Sequence, residues 1–344
     1  MAGAEQDHAA LVPYGWSDRV GALLADHLDG CIPGRVIRVE RIAARVITAV
    51  GEFLAVADQL PAVGDWVALD LTAPPSVAYI APRWSALTRL DPHGDRVQVL
   101  AADIDLVLVT CPTDRPSLAR VERECVLAWD SGAQPIVVVT KADLDASELV
   151  ADLEARLVGV EILVTTHLDG TGIATLAARL APDRTAVMLG PSGAGKSSLI
   201  NALLGEERLA VGAVRDDDAR GRHTTTSREL VVIPSGGVVI DTPGIRGVGL
   251  TAAAGAGLDV AFADIVELGA ACRFSDCSHT VEPGCAVLAA LAAGEVDAAR
   301  YASYRKLEDE VDAEIRRADP NAAKAERDRV RAVQKAAPRG PKGL

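Results

Sequence analysis

The sequence predicts a multidomain α/β protein with a small β-barrel, then a parallel sheet with helices on both faces, then a helical C-terminal region. Short β-branched strands crowd residues 34–92, strand and helix patterns alternate over residues 98–256, and cysteines cluster in the helical residues 257–319. Residues 1–33 are an N-terminal extension and residues 320–344 a basic tail. A chain of 344 residues can hold two or three domains.

The composition is that of an acidic protein without a membrane span. A formal net charge of −13 argues against broad electrostatic attraction to nucleic acid. No apolar run approaches the roughly 18 residues of a membrane span, and the first residues lack the pattern of a signal peptide. We therefore expect a soluble cytoplasmic protein with no membrane partner. We also expect a monomer, although the composition does not establish the oligomeric state.

The N-terminal third predicts one helix and a barrel. Val20, Leu23, Leu24 and Leu28 recur at helical spacing. The five short strands that follow favour a barrel such as an OB-fold. Such barrels often bind nucleic acid, but few aromatic residues are available to stack on bases, so a barrel without its own ligand remains an alternative.

Residues 190–198 match G-x-x-x-x-G-K-[ST], the phosphate-binding loop of P-loop NTPases, between a buried strand and a helix. The glycines allow backbone N–H groups to turn onto a phosphate, and the helix N-terminus adds positive field. Lys196 is expected to reach the β- and γ-phosphates as a catalytic residue, and the Ser197 hydroxyl to ligate Mg²⁺. The nucleotide-binding residues predicted in this loop are Gly190, Pro191, Ser192, Gly193, Ala194, Gly195, Lys196, Ser197 and Ser198.

A second motif selects the base. Thr140, Lys141, Ala142 and Asp143 fit [NT]-K-x-D and follow a strand, at the end where ligands of open α/β sheets bind. The aspartate can accept two hydrogen bonds from the guanine edge that adenine cannot offer, so the predicted nucleotides are GTP and GDP. Thr165 and Thr166, after the next strand, are expected to back the base.

A third motif, Asp241-x-x-Gly244, ends another strand and is expected to place Asp241 behind the Mg²⁺ shell and the Gly244 N–H against a γ-phosphate. The next residue, Ile245, cannot orient water as the usual glutamine does, so intrinsic hydrolysis should be slow or depend on another group or a partner. His223 is the catalytic candidate, with an exposed loop histidine as the alternative. Thr224 and Thr225 are further nucleotide-site candidates, of which one, assigned as Thr225, should ligate Mg²⁺.

The order of the motifs is unusual, because the guanine motif precedes the phosphate loop. A circularly permuted chain builds the same sheet, and permutation is tolerated where the natural termini lie close together. The segment that responds to the γ-phosphate then leads directly into the C-terminal region.

The clustered cysteines predict a metal site. Cys272, Cys277, His279 and Cys285 form a Cys₃His set that suits one structural Zn²⁺ per chain. The basic tail is either a solvated terminus or an arm that contacts nucleic acid.

Taken in order, T-K-A-D, G-P-S-G-A-G-K-S-S, G-R-H-T-T-T, D-T-P-G and C-R-F-S-D-C-S-H-T-V-E-P-G-C-A-V resemble the ribosome small subunit-dependent GTPase A family (RsgA or YjeQ). Residues 83–89, R-W-S-A-L-T-R, also resemble the family's R-x-S-x-L-x-R. The resemblance covers about residues 34–317. It implies an OB-fold, a circularly permuted GTPase domain and a zinc domain with the residues given above.

The resemblance further implies a late maturation factor that binds small-subunit rRNA and whose GTP hydrolysis the small ribosomal subunit stimulates. Two alternatives remain. One is a zinc-containing RNA-binding module that senses GTP or GDP without significant turnover. The other is a P-loop ATPase or small-molecule kinase, against which Asp143 argues.

Overall fold

The computed structural model describes residues 8–90, 97–180, 182–207, 228–241, 249–251 and 254–318. The chain divides into two compact units, residues 1–249 and 250–344. The first unit begins with a 3₁₀ helix (Ala9–Tyr14), helix α1 (Asp18–Leu24) and a second 3₁₀ turn (Ala25–His27). The predicted N-terminal helix is thus α-helical only to Leu24, and Leu28 lies beyond the 3₁₀ turn.

Five strands close the barrel: β1 (Ile32–Val39), β2 (Ala43–Thr48), β3 (Gly51–Val56), β4 (Trp66–Asp70) and β5 (Ser76–Ile80). They pair in the order β1-β2-β3-β5-β4, and β4 pairs back onto β1. This order confirms the predicted OB-fold. Apolar side chains such as Val36, Val46 and Leu69 fill one cluster, while Leu11 and Leu24 of the N-terminal segment pack with Trp66 in another.

A hairpin of β6 (Ala86–Leu90) and β7 (Val97–Ala102) forms its own two-stranded sheet after the barrel. This hairpin was not predicted from the sequence, because the short run of mixed apolar and polar residues there is equally compatible with one more strand of the barrel.

The α/β part of the first unit follows the predicted alternation of strands and helices. Its elements are β8 (Leu106–Pro112), α2 (Leu118–Asp130), β9 (Gln134–Thr140), α3 (Ser147–Arg156), β10 (Glu161–Val164), α4 (Ile173–Leu180), β11 (Thr185–Leu189), α5 (Lys196–Leu204), β12 (Glu229–Val232) and β13 (Val238–Asp241). The strands lie in the order β10-β9-β8-β11-β13-β12, parallel except for β12. Strand β12 pairs with β1 at Arg38 and Glu229, so one continuous sheet joins this part to the barrel.

Both faces of the parallel sheet are buried. Side chains of α4 and α5 pack on one face with Leu106, Leu108 and Met188. The alternate residues Val107 and Val109 are also fully buried, as expected when helices cover both faces. The carboxyl ends of β8, β9, β11 and β13 therefore meet at one edge, where such sheets bind ligands.

The second unit contains α6 (Gly255–Ala261), α7 (Ala263–Gly269), α8 (Ala286–Ala293) and α9 (Ala298–Ala318). Its core centres on Phe262, whose ring meets Tyr304 edge-on at 5.5 Å. The buried guanidinium of Arg300 makes a two-pronged ion pair with Asp264, at 2.8 and 2.7 Å. Across the part of the chain that the structure describes, no helix has the length and hydropathy needed to cross a membrane.

Candidate functional site

The predicted phosphate loop connects β11 to α5 at the carboxyl edge of the sheet. Its first residue must be glycine, because Gly190 has φ +141° and a Cβ there would lie 1.9 Å from the Thr110 hydroxyl oxygen. Gly193 and Gly195 also have positive φ, at +72° and +86°. These conformations allow consecutive N–H groups to converge on an anion.

The side chain of Lys196 folds over this loop. Its Nζ donates to the carbonyl oxygens of Gly190 and Pro191, each at 2.8 Å. A buried carboxyl lies within electrostatic range: burial raises the pKa of Glu124 on α2 to about 7, against the opposing charges of Arg120 and Lys196. The loop thus places the Lys196 ammonium beside several backbone amides.

The predicted guanine motif ends β9 beside the phosphate loop. The Thr140 hydroxyl donates to the Ala194 carbonyl at 2.7 Å, which ties the two motifs together. Asp143 accepts a hydrogen bond from the Thr166 hydroxyl at 3.1 Å, and the Ala142 N–H donates to the Thr165 carbonyl at 3.2 Å. The structure therefore brings the two predicted base-binding segments into direct contact.

A groove of ≈ 570 Å³ lies beside this motif and is lined by Ala142, Asp143, Leu144, Asp145, Ala146, Ser147, Val150 and Val164. Its volume is within the range usual for small-molecule sites, about 300–1,000 Å³. The side chain of Asp143 thus lines a groove large enough for a small molecule.

The third predicted motif is described only in part. Ile240 follows Val239 in β13, where it pairs with Val187 of β11, so Asp241 ends its strand beside the strand that enters the phosphate loop. Carboxylate and hydroxyl oxygens suit Mg²⁺, so Asp241 and Ser197 carry the type of ligand atom that the predicted ion requires. His223, Thr224, Thr225 and Gly244 lie outside the described residues.

The turn that follows β8 contributes residues to the site that were not predicted from the sequence. Thr113, Asp114 and Arg115 contact both motifs of the site. No sequence motif marks them. Their one available signal in the sequence was that they follow a buried strand, because residues after the strands of a parallel sheet lie at the edge where ligands bind.

The second unit holds the predicted metal-ligand set. The ligand atoms of Cys272, Cys277, His279 and Cys285 all lie within 4.8 Å of one another. Two backbone N–H groups donate to sulfur, Ala286 to Cys272 at 3.3 Å and Leu288 to Cys285 at 3.4 Å. Three thiols and one imidazole at this spacing fit tetrahedral Zn²⁺.

The cysteine sulfurs are electrostatically distinct. Burial raises the pKa of Cys272, but hydrogen bonds from the N–H groups of Ala286 and Val287 and from the neighbouring thiols together leave that pKa below its usual value. Burial and the neighbouring thiols raise the pKa of Cys277 to about 11. A divalent cation removes this difference, because a coordinated thiol is deprotonated outright.

Neighbouring groups hold the histidine of this set in place. His279 has φ +57°, which is rare for a residue other than glycine. The Glu282 carboxylate accepts from the N–H groups of Ser278 and Thr280 on either side of it, both at 3.0 Å. The Tyr301 hydroxyl, from α9, donates to the His279 carbonyl. Such contacts orient a ligand before the metal binds.

Comparisons with known proteins agree with this architecture. A sequence profile described as RsgA GTPase matches residues 80–251. The small ribosomal subunit biogenesis GTPase RsgA of Streptomyces coelicolor is 47% identical over 322 residues, which are 88% of this chain and 87% of the relative. RsgA 1 of Listeria innocua is 40% identical over 88% of this chain and 90% of the relative.

Solved structures have the same fold. YjeQ from Thermotoga maritima superposes with a TM-score of 0.61 at 26% identity, over 82% of this chain and 98% of that one. YloQ, described as a circularly permuted GTPase, superposes with a TM-score of 0.59 at 23% identity over 83% of this chain and 96% of that one. Given the identity and coverage of its relatives, the chain belongs to the RsgA GTPase family and is a circularly permuted, GTP-hydrolysing enzyme.

Proposed function

We propose that this enzyme acts in the maturation of the small ribosomal subunit and that the edge of the sheet formed by β8, β9, β11 and β13 is its GTP site. The observation that carries the proposal is the contact between the two motifs, in which the Thr140 hydroxyl donates to the Ala194 carbonyl at 2.7 Å. The names of the Streptomyces and Listeria relatives support the ribosomal role.

In this proposal the guanine edge donates two hydrogen bonds to Asp143, and Thr165 and Thr166 back the base. The amides of residues 190–198 bind the phosphates, and Lys196 neutralises charge that develops on the β- and γ-oxygens. Ser197, Thr225 and Asp241 hold Mg²⁺, directly or through water. When bound, Mg²⁺ supplies further positive charge to the phosphate oxygens.

Water activation is assigned to His223, because Ile245 occupies the position where many GTPases have a glutamine. We infer that the small ribosomal subunit stimulates this step, so that hydrolysis is slow in the free protein and fast on the ribosome. Gly244, after Asp241, is the residue whose N–H senses the γ-phosphate.

The barrel, the zinc-binding unit and the basic residues 320–344 are the proposed rRNA contacts, and the proposed Zn²⁺ count is one per chain. The protein would work as a cytoplasmic monomer. A formal net charge of −13 means that such contacts must be local rather than spread over the whole surface.

The experiment is GTP turnover by the purified chain, alone and with purified small ribosomal subunits. A low basal rate that rises steeply with the subunit supports the proposal. A basal rate that the subunit leaves unchanged overturns the ribosomal role while leaving the GTPase intact. Binding of GTP without turnover in either condition would favour an RNA-binding module that only senses the nucleotide.

A further inference from the structure

The turn between β8 and α2, residues 113–115, lies between the two halves of the proposed GTP site. We propose that this turn, called the clasp below, positions both halves: Asp114 fixes the loop that reads guanine, and Arg115 fixes the loop that binds phosphate. This assignment rests on the proposed guanine-nucleotide site.

The first contact is to the backbone of the guanine motif. The N–H and the hydroxyl of Thr113 both donate to the Thr140 carbonyl, at 3.0 and 2.9 Å. The carbonyl at the end of β9 is therefore held by two donors. The chain leaves the strand at Thr140 in one fixed direction, toward Asp143.

The second contact is to the side chain of the next residue. Lys141 has φ +58°, a left-handed conformation that costs a residue with a side chain about 1–2 kcal/mol. Its Nζ donates to the Asp114 carboxylate at 2.7 Å. This hydrogen bond is also the main reason that the pKa of Asp114 lies below its usual value.

The Asp114 contact has a direct consequence for specificity. Lys141 lies two residues before Asp143, so the backbone rotation at Lys141 sets where the Asp143 carboxylate points. By holding the Lys141 side chain, Asp114 favours the rotation that this position needs. Asp114 is therefore a positioning residue that acts on guanine only through Lys141.

The third contact is to the phosphate loop. Arg115 Nη2 donates to the Ser192 carbonyl at 2.5 Å. In a trans peptide the C=O and the following N–H point in opposite directions. The hydrogen bond from Arg115 to the Ser192 carbonyl therefore makes the Gly193 N–H point in the opposite direction, away from Arg115. The Thr140 hydroxyl does the same for the Ala194 carbonyl and the Gly195 N–H.

The clasp thus prepares N–H groups for phosphate before the nucleotide arrives, which lowers the ordering cost of binding. Both of its charged side chains are at the surface rather than in the core. Their removal should change nucleotide residence time more than stability, because exposed pairs contribute little to folding.

The test is the dissociation rate of a fluorescent GDP analogue from the full-length protein, with the thermal midpoint measured in parallel. Asp114→Ala should speed release about three- to tenfold and Arg115→Ala about two- to fivefold, with unchanged midpoints. Asp114→Asn keeps an oxygen acceptor and should restore part of the loss. The matched controls are Asp152→Ala on the exposed side of α3 and Arg179→Ala, whose exposed side chain pairs with Glu161. Both should release GDP at the wild-type rate.

Combining Asp114→Ala with Lys141→Ala tests whether Asp114 acts on the nucleotide site through Lys141. If Asp114 acts through Lys141, the double variant releases GDP no faster than Lys141→Ala alone. Faster release by Lys141→Ala together with wild-type release by Asp114→Ala overturns the clasp and leaves the guanine site standing. Wild-type release by Lys141→Ala also overturns the role of Asp114, because Asp114 is proposed to act only through Lys141. The proposed site itself would be overturned by wild-type release from Asp143→Ala. Additive effects of the two substitutions would show that Asp114 does not act through Lys141.

Discussion

Replacing Gly190 with alanine tests whether the phosphate loop has the backbone geometry described above. At φ +141° a side chain is strained, by about 1–3 kcal/mol. The added Cβ would also lie 1.9 Å from the hydroxyl oxygen of Thr110 and 3.0 Å from its carbonyl oxygen. The hydroxyl cannot simply rotate away, because it donates to the Leu189 carbonyl at 2.9 Å. Overpacking of this kind adds about 1–3 kcal/mol.

Gly190→Ala should therefore lower the free energy of unfolding of the first unit by about 2–6 kcal/mol and weaken nucleotide binding. In a unit of this size the thermal midpoint should fall by about 4–24 °C in circular dichroism. Gly205→Ala, at the other end of α5, is the matched control. Gly205 has φ +70° but open space where its Cβ would stand, so only backbone strain applies.

A second variant isolates the steric part of the effect. Adding Thr110→Ala to Gly190→Ala removes the closest clashing atom and should recover part of the lost stability, although Thr110→Ala alone is destabilising. A Gly190→Ala protein that is as stable as Gly205→Ala and keeps the wild-type affinity for GDP would show that the loop does not have this backbone geometry.

Three further predictions concern other parts of the chain. Burial raises the pKa of Asp103 to about 7. The protonated carboxyl therefore contributes to stability in full below its unfolded-state pKa of about 4, and this contribution is lost as the pH rises through about 7. Asp103→Asn should therefore gain about 1–3 kcal/mol relative to wild type between pH 4 and pH 8 in urea unfolding, and a pH-independent difference would contradict this. Cys277→Ser should lose zinc and lower the midpoint of the second unit, whereas Cys31→Ser keeps its metal in elemental analysis; full occupancy in Cys277→Ser would exclude that ligand. His223→Ala should slow subunit-stimulated GTP hydrolysis about 100-fold or more with GTP affinity retained, and normal stimulated turnover would make His223 an ordinary loop residue.

Much of the fold was predictable because its signals are local. The alternation of strand and helix patterns after the barrel predicted a parallel sheet with helices on both faces, and the structure confirms it. The phosphate loop was predicted because glycines followed by Lys196 and Ser197 at this spacing, between a strand and a helix, are typical of phosphate-binding loops. The four zinc-ligand candidates were predictable for the same reason, and their ligand atoms do converge.

Long-range pairing was not predictable from these patterns. Nothing local indicates that Arg38 of the barrel lies opposite Glu229, although this pair joins two parts of the chain into one sheet. The contacts of Asp114 and Arg115 were not predictable for the same reason, since each joins residues that are far apart in the sequence. Such contacts depend on strand order, which one sequence does not reveal.

The proposed function depends most directly on Asp143 accepting hydrogen bonds from guanine in a site built from β9 and β11. The measurement is kcat/KM for GTP and for XTP, in the wild-type protein and in Asp143→Asn. An asparagine can donate to the O2 of xanthine but leaves guanine's N–H groups poorly matched, so the GTP-over-XTP preference should fall by about 100-fold or more. A folded Asp143→Asn protein with the wild-type preference for GTP would show that Asp143 does not select guanine.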